Sequence, residues 1–479
     1  MSEKEVLIVG AGPTGLVLAM ELAYYNVPFK LIDQKSGPGE SSRAMLVVPK
    51  VLESYQKYEL DQKILSLGIQ PHAVHYYLNN RRQATIPLKR IGSGQCIYPN
   101  VVTFPQDKHE QLLVEQLKNM GHDVFWSTRY ETAEETGDGV EVNLNQSGQS
   151  SKGIYRYVIG CDGASSQVRK DRHIKFTGET YEEAFYVLDA TVEGDLLHDR
   201  SISFSFKGDH FALFFPLRDK ETTRVIGMYP PDLTEKKDFS FESLRPYIEE
   251  AHCVSITEKN WFSDYRVHRR TADHFKDGAF FLAGDAAHVH SPAGGQGMNL
   301  GIGDAVNLGW KLAEVIIHQT NEKILDTYEA ERKALAESTV SLTDRAFKTI
   351  ASQSLISQLT RMVGIPLVTR VGSRSGLLQK ALFKILSQLY ISYEETPLNT
   401  PSETKLKSGE RLPYVDGEPL EFTREAGWQL HYFNDPLEGE VTRIPSRIRP
   451  VKRRWTDKAR DAGFEKDHLY LIRPDGYIS

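Results

Sequence analysis

Val6-Leu7-Ile8-Val9-Gly10-Ala11-Gly12-Pro13-Thr14-Gly15 is the stretch that decides the fold. Residues 5–9 form a short apolar run that reads as a buried strand. Residues 10–15 match G-x-G-x-x-G, residues 16–25 carry apolar side chains at helical spacing, and residues 29–33 form a second strand ending in Asp33. A strand, glycine turn, helix and strand within about 30 residues open a doubly wound α/β sheet. Gly10 permits the tight turn, Gly12 lets backbone approach a pyrophosphate, and Gly15 lets helix and strand pack closely. The helix start supplies free N–H groups and a positive dipole end for phosphate. Asp33, 18 residues after Gly15, would accept hydrogen bonds from a ribose diol. The cofactor-binding residues expected from this Rossmann-like motif are Gly10, Gly12, Pro13, Thr14, Gly15, Asp33 and Gln34. By itself the motif leaves FAD and NAD open.

Composition narrows the class. A chain of 479 residues has room for two or three domains. Hydrophobic residues at 40% and charged residues at 25% are globular values, which exclude wholesale disorder. Lys+Arg at 58 against Asp+Glu at 64 gives a net charge of −6, which argues against a nucleic-acid partner. The three cysteines, Cys96, Cys161 and Cys253, are far apart. They exclude a disulfide scaffold, a Cys-rich zinc site and a CxxC redox centre, and fit a reducing compartment. No run approaches the ~18 apolar residues of a spanning helix. The expectation is a cytoplasmic protein with no membrane partner, monomeric or homodimeric.

Along the chain, residues 36–43 read as a loop and residues 45–66 as helix. Residues 74–86 read as a strand pair around Asn79-Asn80, and residues 108–120 as a helix capped by Gly121. Strands are expected at 123–132, 140–145 and 155–160, with the Ser/Gly/Gln-rich residues 146–153 as a separator. From about 176 to 265, strand-like runs at 186–192, 201–206, 211–217 and 224–229 alternate with polar turns, the pattern of an antiparallel sheet. Residues 280–284 return to a buried strand. Residues 299–319 and 324–351 read as long helices, and 354–393 as further amphipathic helices broken near Pro366 and Gly372.

Two further motifs bear on the cofactor. Val158-Ile159-Gly160-Cys161-Asp162-Gly163-Ala164-Ser165-Ser166-Gln167-Val168-Arg169 is a strand ending in Asp-Gly before a helix start. Phe280-Phe281-Leu282-Ala283-Gly284-Asp285-Ala286-Ala287-His288-Val289-His290-Ser291-Pro292-Ala293-Gly294-Gly295-Gln296-Gly297-Met298-Asn299 is a buried strand, a small-residue turn and a glycine-rich loop before a helix. Together with the first motif, these resemble the single-component FAD-dependent aromatic hydroxylases, typified by para-hydroxybenzoate hydroxylase and phenol hydroxylase. That group also includes polyketide, tetracycline and rifampicin monooxygenases. The resemblance runs from Glu5 to Tyr328-Glu329-Ala330-Glu331-Arg332. Near the end, Leu469-Tyr470-Leu471-Ile472-Arg473-Pro474-Asp475-Gly476 resembles the closing strand of the thioredoxin-like tail in the phenol-hydroxylase branch, although 80 residues from Thr400 are short for that domain.

The resemblance implies a Rossmann-like FAD-binding domain with an inserted antiparallel-sheet substrate domain, then helices and a reduced tail. The expected boundaries are 1–75, 100–175 and 266–350 for the discontinuous FAD domain, 76–99 and 176–265 for the substrate domain, 351–399 for a helical region and 400–479 for the tail. It assigns FAD contacts to Arg43 and Gln106, a role toward both FAD and NAD(P)H to Asp162, and ribityl contacts to Asp285. The loop Pro292, Gly295, Gly297 and the helix start Met298, Asn299 would let backbone approach the flavin, with Gly284 ending the strand. Arg169 reads as a structural partner. NADPH or NADH would visit as a transient reductant, and O₂ would be activated as a flavin C4a-hydroperoxide that hydroxylates an aromatic or polyketide-like molecule, with antibiotic inactivation one outcome. The flavin carries the chemistry, so no catalytic side chain is assigned. Phe211, Leu213, Phe215 and Met228 alternate along strands and, with Pro292, either line a substrate pocket or are core.

Other readings stay open. His288 and His290 form an H-x-H pair, read as loop packing beside the cofactor because no third metal ligand suggests itself. Asp304 and Asn307, one helical turn apart, serve either helix hydrogen bonding or catalysis. Arg266, Arg269 and Arg270 are a solvated face or an NAD(P)H contact. A second nucleotide fingerprint and a redox cysteine pair are both absent, which separates the chain from Baeyer–Villiger-type enzymes and disulfide reductases. The alternatives are a flavin oxidase or dehydrogenase on the same scaffold and a non-catalytic ligand-binding flavoprotein.

Overall fold

The computed structural model describes residues 6–39, 44–89, 91–198, 200–208, 210–217, 221–236, 238–290, 295–351, 364, 376–394, 396–400, 404–418, 425, 427–433 and 444–479. Val6–Val9 is buried along its whole length because it runs between two parallel neighbours, Tyr157–Gly160 and Phe29–Ile32. Parallel strands covered on both faces need apolar side chains at every position, which is what Val-Leu-Ile-Val supplies. These three form the centre of a six-stranded sheet in the order Lys276–Asp277, Phe280–Leu282, Tyr157–Gly160, Val6–Val9, Phe29–Ile32, Val124–Phe125. Its strands come from three separated stretches of chain. The helices Pro13–Tyr24, Gln106–Asn119 and Gly297–Ile316 pack around it and close one hydrophobic core.

An eight-stranded sheet stands against the carboxyl ends of those strands. Its order is His288–Val289, Ser255–Ala272, Phe176–Glu193, Thr222–Met228, His210–Pro216, Ser201–Lys207, Ala73–Leu78, Arg81–Pro87. All neighbours are antiparallel except Ser201–Lys207 and Ala73–Leu78, which run parallel. The hairpin expected around Asn79-Asn80 is present, with both residues at positive φ (49° and 59°), the backbone that a two-residue turn between twisted strands requires. One sheet face packs on the helix Phe241–His252 through Tyr186, Leu188, Phe214 and Val225. The other face is discussed below.

Several expectations need correction. Residues 45–66 are not one helix. Leu46–Val47 pairs as a strand with Val102–Thr103, and the helices Pro49–Tyr55 and Leu60–Leu67 are separated by a 3₁₀ turn and by Glu59 at φ 57°. The stretch 146–153 is no separator: Gln149–Tyr155 completes a three-stranded antiparallel meander with Thr128–Thr136 and Gly139–Gln146. Its polar residues are tolerated because the strand is largely exposed. The 265/266 boundary falls inside the continuous strand Ser255–Ala272. Of the helices expected at 354–393, Gly376–Leu386 is described, and Pro366 and Gly372 lie outside the described residues. The tail holds a three-stranded sheet, Ile448–Lys452, Trp428–Tyr432 and Tyr470–Ile472, with one parallel and one antiparallel pairing. Among the described residues no helix is long and apolar enough to cross a membrane.

The tail is held to the core by buried charge. The Arg473 guanidinium donates to both carboxylate oxygens of Glu331 at 2.8 and 2.9 Å and to those of Asp475 at 3.0 and 2.7 Å. Lys311 Nζ donates to Glu331 at 2.8 Å and to Asn307 Oδ1 at 2.9 Å. Lys311, Glu331 and Arg473 are all fully covered, so each charge depends on its partners.

Three buried histidines make the fold acid-sensitive. Burial pushes His109, His252 and His431 down to about 3 each. Unfolded, each takes up a proton near pH ~6.5, so the folded form is fully favoured above that pH and loses ground as pH falls below it. The thermal midpoint is expected to fall steadily from about pH 7.5 to about pH 5, above the range where most carboxylates titrate. A midpoint that stays flat over this window, followed by calorimetry, would refute the assignment.

Candidate active site

A cavity of ≈ 1060 Å³ opens where the carboxyl ends of Val6–Val9, Phe29–Ile32 and Tyr157–Gly160 face the free side of the eight-stranded sheet. The strand order reverses beside the central strand, and a crevice at such a point is where doubly wound sheets bind ligands. The volume lies at the top of the ~300–1,000 Å³ range of small-molecule sites, enough for two ligands side by side.

The first motif forms one end of the cavity. Gly10, Gly12, Pro13, Thr14, Asp33 and Gln34 line it. Gly10 has φ +106°, and a Cβ there would lie 2.4 Å from the Cys161 carbonyl oxygen. A Cβ on Gly12 would meet no atom within 4 Å, so the space it would fill belongs to the cavity. Gly15 does not line the wall: its Cβ would fall 1.9 Å from the Gly10 oxygen, so it serves helix packing. The Asp33 carboxylate braces the turn, accepting the Ala11 N–H at 2.7 Å and the Lys35 N–H at 2.8 Å.

Asp162 lines the same end. Its Oδ2 accepts the Gln167 and Val168 N–H groups at 2.6 and 3.3 Å, while its Oδ1 is buried with no partner. Burial raises its carboxyl above the ordinary range against the pull of these donors. Arg169 joins the two later motifs, donating to the Ala164 oxygen at 2.7 Å and the Ala286 oxygen at 2.8 Å across the face of Phe176. Gln106 also lines the wall, accepting from Ala44 N–H at 3.2 Å and donating to Glu110 at 2.9 Å. Glu110 in turn accepts from Gly39 N–H. This pair holds both ends of the segment containing Arg43, which lies outside the described residues, as does Pro292.

The third motif forms the middle of the site. Asp285, on a short 3₁₀ turn, Gly295, Gly297 and Met298 line the cavity, and so do His290 and Gln296. The helix Gly297–Ile316 therefore begins at the cavity wall and presents its first turn there. Gly284 and Asn299 stand behind the wall. A Cβ on Gly284 would meet Thr14 Oγ1 at 2.5 Å. Buried Asn299 accepts from Val48 N–H at 3.0 Å and donates to Leu46 O and Gly295 O at 2.8 and 2.9 Å, which clamps the glycine loop to the Leu46–Val47 strand. His288 is a hydrogen-bond partner of Asp304, and among the described residues no three potential ligands come together for a metal. Cys161 is buried, which raises its thiol well above the usual range and leaves it unreactive.

At the far end the strand alternation holds. Phe211, Leu213 and Phe215 face the cavity, while Ala212 and Phe214 face the helix side. Met228 does not reach the cavity: it packs among Phe185, Tyr265, Phe206 and Phe211, and Ile226 takes the lining position two residues earlier. Ile202, Phe204, Leu382 and Leu386 complete this wall and were not anticipated. The first two carry the same period-two alternation as Phe211 and Leu213. Leu382 and Leu386 are one turn apart on a helix that nothing local ties to the site. The segment Thr128–Glu131, also unanticipated, lines the cofactor end.

Residues 3–343 match the model of the family described as FAD binding domain. The chain belongs to this family. It is 31% identical to 6-methylpretetramide 4-monooxygenase of Streptomyces rimosus over 82% of this chain and 71% of that protein. It is 32% identical to rifampicin monooxygenase of Streptomyces venezuelae over 69% and 68% of the two chains. Among solved structures, the anhydrotetracycline hydroxylase OxyS from Streptomyces rimosus superposes with a TM-score of 0.79 at 25% identity, covering 99% of this chain and 95% of that one. The protein is an FAD-dependent monooxygenase, with NAD(P)H as the reductant typical of the family. The residues present fit FAD: the unfilled space over Gly12 suits a pyrophosphate, and the orphaned Asp162 oxygen suits a hydroxyl donor.

Two glycine variants separate folding from cofactor binding. Gly12→Ala has room for its methyl and an extended backbone, so apo-protein stability should change by no more than about 1 kcal/mol, the cost of an altered helix cap. Its FAD retention should fall sharply. Gly10→Ala should lose stability as well, since its Cβ strikes backbone. Flavin absorbance after gel filtration, read beside the unfolding midpoint, tests both; Gly12→Ala protein with normal flavin content would show that phosphate does not lie there.

Proposed function

We propose that this monooxygenase hydroxylates an extended, uncharged polycyclic aromatic or polyketide-type molecule, held against the eight-stranded sheet while FAD occupies the Gly10–Asp33–Asp162 end. The substrate-binding unit is then the eight-stranded sheet through Ala272, and the six-stranded sheet with its helices is the FAD-binding unit. The observation that carries this reading is the character of the far wall. Phe185, Ile202, Phe204, Phe211, Leu213 and Ile226 are apolar, with Tyr265 and His290 as polar groups at the edge. A small carboxylated ring would need a cation to meet it in such a dry site. Among the described residues the buried cation on this face of the sheet, Arg224, two positions before Ile226, is held by Asp189 in two bonds at 2.7 and 2.6 Å, and its Nη1 meets Met45 Sδ at 3.1 Å. Relatives named for 6-methylpretetramide, anhydrotetracycline and rifampicin support a large substrate.

When bound, FAD supplies electron transfer and O₂ activation. The chain's own part is positioning and shielding. Gly12 and the first turn of the Pro13–Tyr24 helix hold phosphate, while Asp162 and Asp285 offer acceptors to hydroxyl groups. The first turn of Gly297–Ile316 presents N–H groups and the positive end of a 20-residue helix dipole, which would favour negative charge on a flavin ring held there. The aromatic and aliphatic wall would keep water away from the substrate side of the cavity.

Purified yellow protein should oxidise NADPH or NADH faster when a tetracyclic or angular phenolic polyketide is added, with one oxygen atom from ¹⁸O₂ in the product. Leu213→Trp should abolish this stimulation with flavin content unchanged. Stimulation by small benzoates alone, or a dehydrogenated product with no added oxygen, would overturn the proposal.

A further inference from the structure

The strand-to-loop segment 284–290 gives the cavity three neighbours, Asp285, Val289 and His290. None of them is anchored by its own backbone sheet over more than two residues, because His288–Val289 is a two-residue strand. One side chain behind the wall ties Gly284 to His288, on either side of the Ala286 oxygen held by Arg169. Asp304, two turns into the helix Gly297–Ile316 and fully buried, accepts the Gly284 N–H at 2.9 Å and the His288 Nε2–H at 2.8 Å on one oxygen. Its other oxygen accepts Arg332 Nε at 2.6 Å. Arg332 then donates to the Leu300 oxygen and to Tyr393 Oη, both at 2.9 Å. Gly284 precedes Asp285, and His288 precedes Val289 and His290.

There is no slack around this clamp. A Cβ on Gly301 would lie 2.4 Å from Thr14 Oγ1, and one on Gly303 would lie 2.9 Å from Arg332 Nη2. The His288 ring is stacked on Phe275 at 5.8 Å and 19°. Burial alone would raise the Asp304 carboxyl, but Arg332 and His288 outweigh it and hold it below the ordinary range, so it stays an acceptor for all three donors.

We infer that Asp304, oriented by Arg332, is a positioning residue that sets the placement of Asp285 and His290 toward FAD and so governs how tightly and how productively the flavin is seated. The inference rests on the FAD site and not on the substrate proposal, and FAD titration without substrate keeps the two apart.

Asp304→Asn keeps the shape but must turn its NH₂ either toward Arg332 or toward the Gly284 and His288 donors, so donor faces donor on one side. Lys311→Met is the control: Lys311 is equally buried on the same helix, in an ion cluster that does not touch residues 284–290. Apo-protein of each is titrated with FAD, and reloaded enzyme is assayed for peroxide released per NAD(P)H. Asp304→Asn is expected to bind FAD about ten-fold more weakly, the factor carried by one charge-assisted hydrogen bond, and to release more peroxide. Lys311→Met should lose thermal stability yet bind FAD within about two-fold of the unaltered protein, since Lys311 bonds to Asn307 and Glu331 and not to residues 284–290. Equal weakening in both variants, or unchanged FAD affinity in Asp304→Asn, would overturn the inference. If Asp304→Asn does not fold, Arg332→Lys replaces it. This variant keeps the charge but cannot hold Asp304, Leu300 and Tyr393 in one plane, so reduced FAD affinity supports the inference and unchanged affinity overturns it.

Discussion

Three stretches of chain, two of them more than two hundred residues beyond the first, meet around Thr14 with no room for one more carbon atom. Cβ atoms on Gly284 and Gly301 would both strike Thr14 Oγ1, at 2.5 and 2.4 Å, and a Cβ on Gly15 would strike the Gly10 oxygen at 1.9 Å. This close approach brings the first strand, the strand end at Gly284 and the helix Gly297–Ile316 to one place. The cavity exists because these elements converge there while Gly12, on the same turn, points its missing side chain into open space.

Close packing fixes how near the elements come, but apolar contact is non-directional and does not fix their rotation. Buried charge does that here. Asp304 with Arg332 and the Lys311–Glu331–Arg473–Asp475 cluster both sit between the Gly297–Ile316 and Asp326–Ala351 helices, and the second reaches the tail. Such pairs contribute little net stability once desolvation is counted, yet their geometry is exacting. Asp304 with Arg332 fixes the cavity end of the Gly297–Ile316 helix, while the second cluster ties the later part of that helix to the tail.

Positions with a special backbone demand were legible in the sequence. Gly10 and Gly12 announced the turn, Asn79-Asn80 announced a hairpin, and the alternation of Phe211, Leu213 and Phe215 announced that they share one face of a sheet. Less was legible where an element's state depends on a distant partner. Leu46–Val47 is a strand because Val102–Thr103 pairs with it, inside a stretch whose apolar spacing suits helix. Gln149–Tyr155 is polar, and only pairing with Gly139–Gln146 makes it a strand. Asn299 and Gly284 sit in the motifs but stand behind the cavity wall, where Asn299 clamps the Leu46 and Gly295 backbone and Gly284 lets Thr14 approach.

The sequence by itself determined the doubly wound start, the FAD-type motif set and the period-two alternation of Phe211, Leu213 and Phe215, because each follows from steric or hydrogen-bonding needs within a few neighbouring residues. The tertiary structure alone decided that Ile226 and not Met228 faces the cavity, that Leu382 and Leu386 close it, and that Asp304 finds Arg332. Those outcomes depend on which surfaces are brought opposite one another across hundreds of residues, and no local pattern encodes the partner.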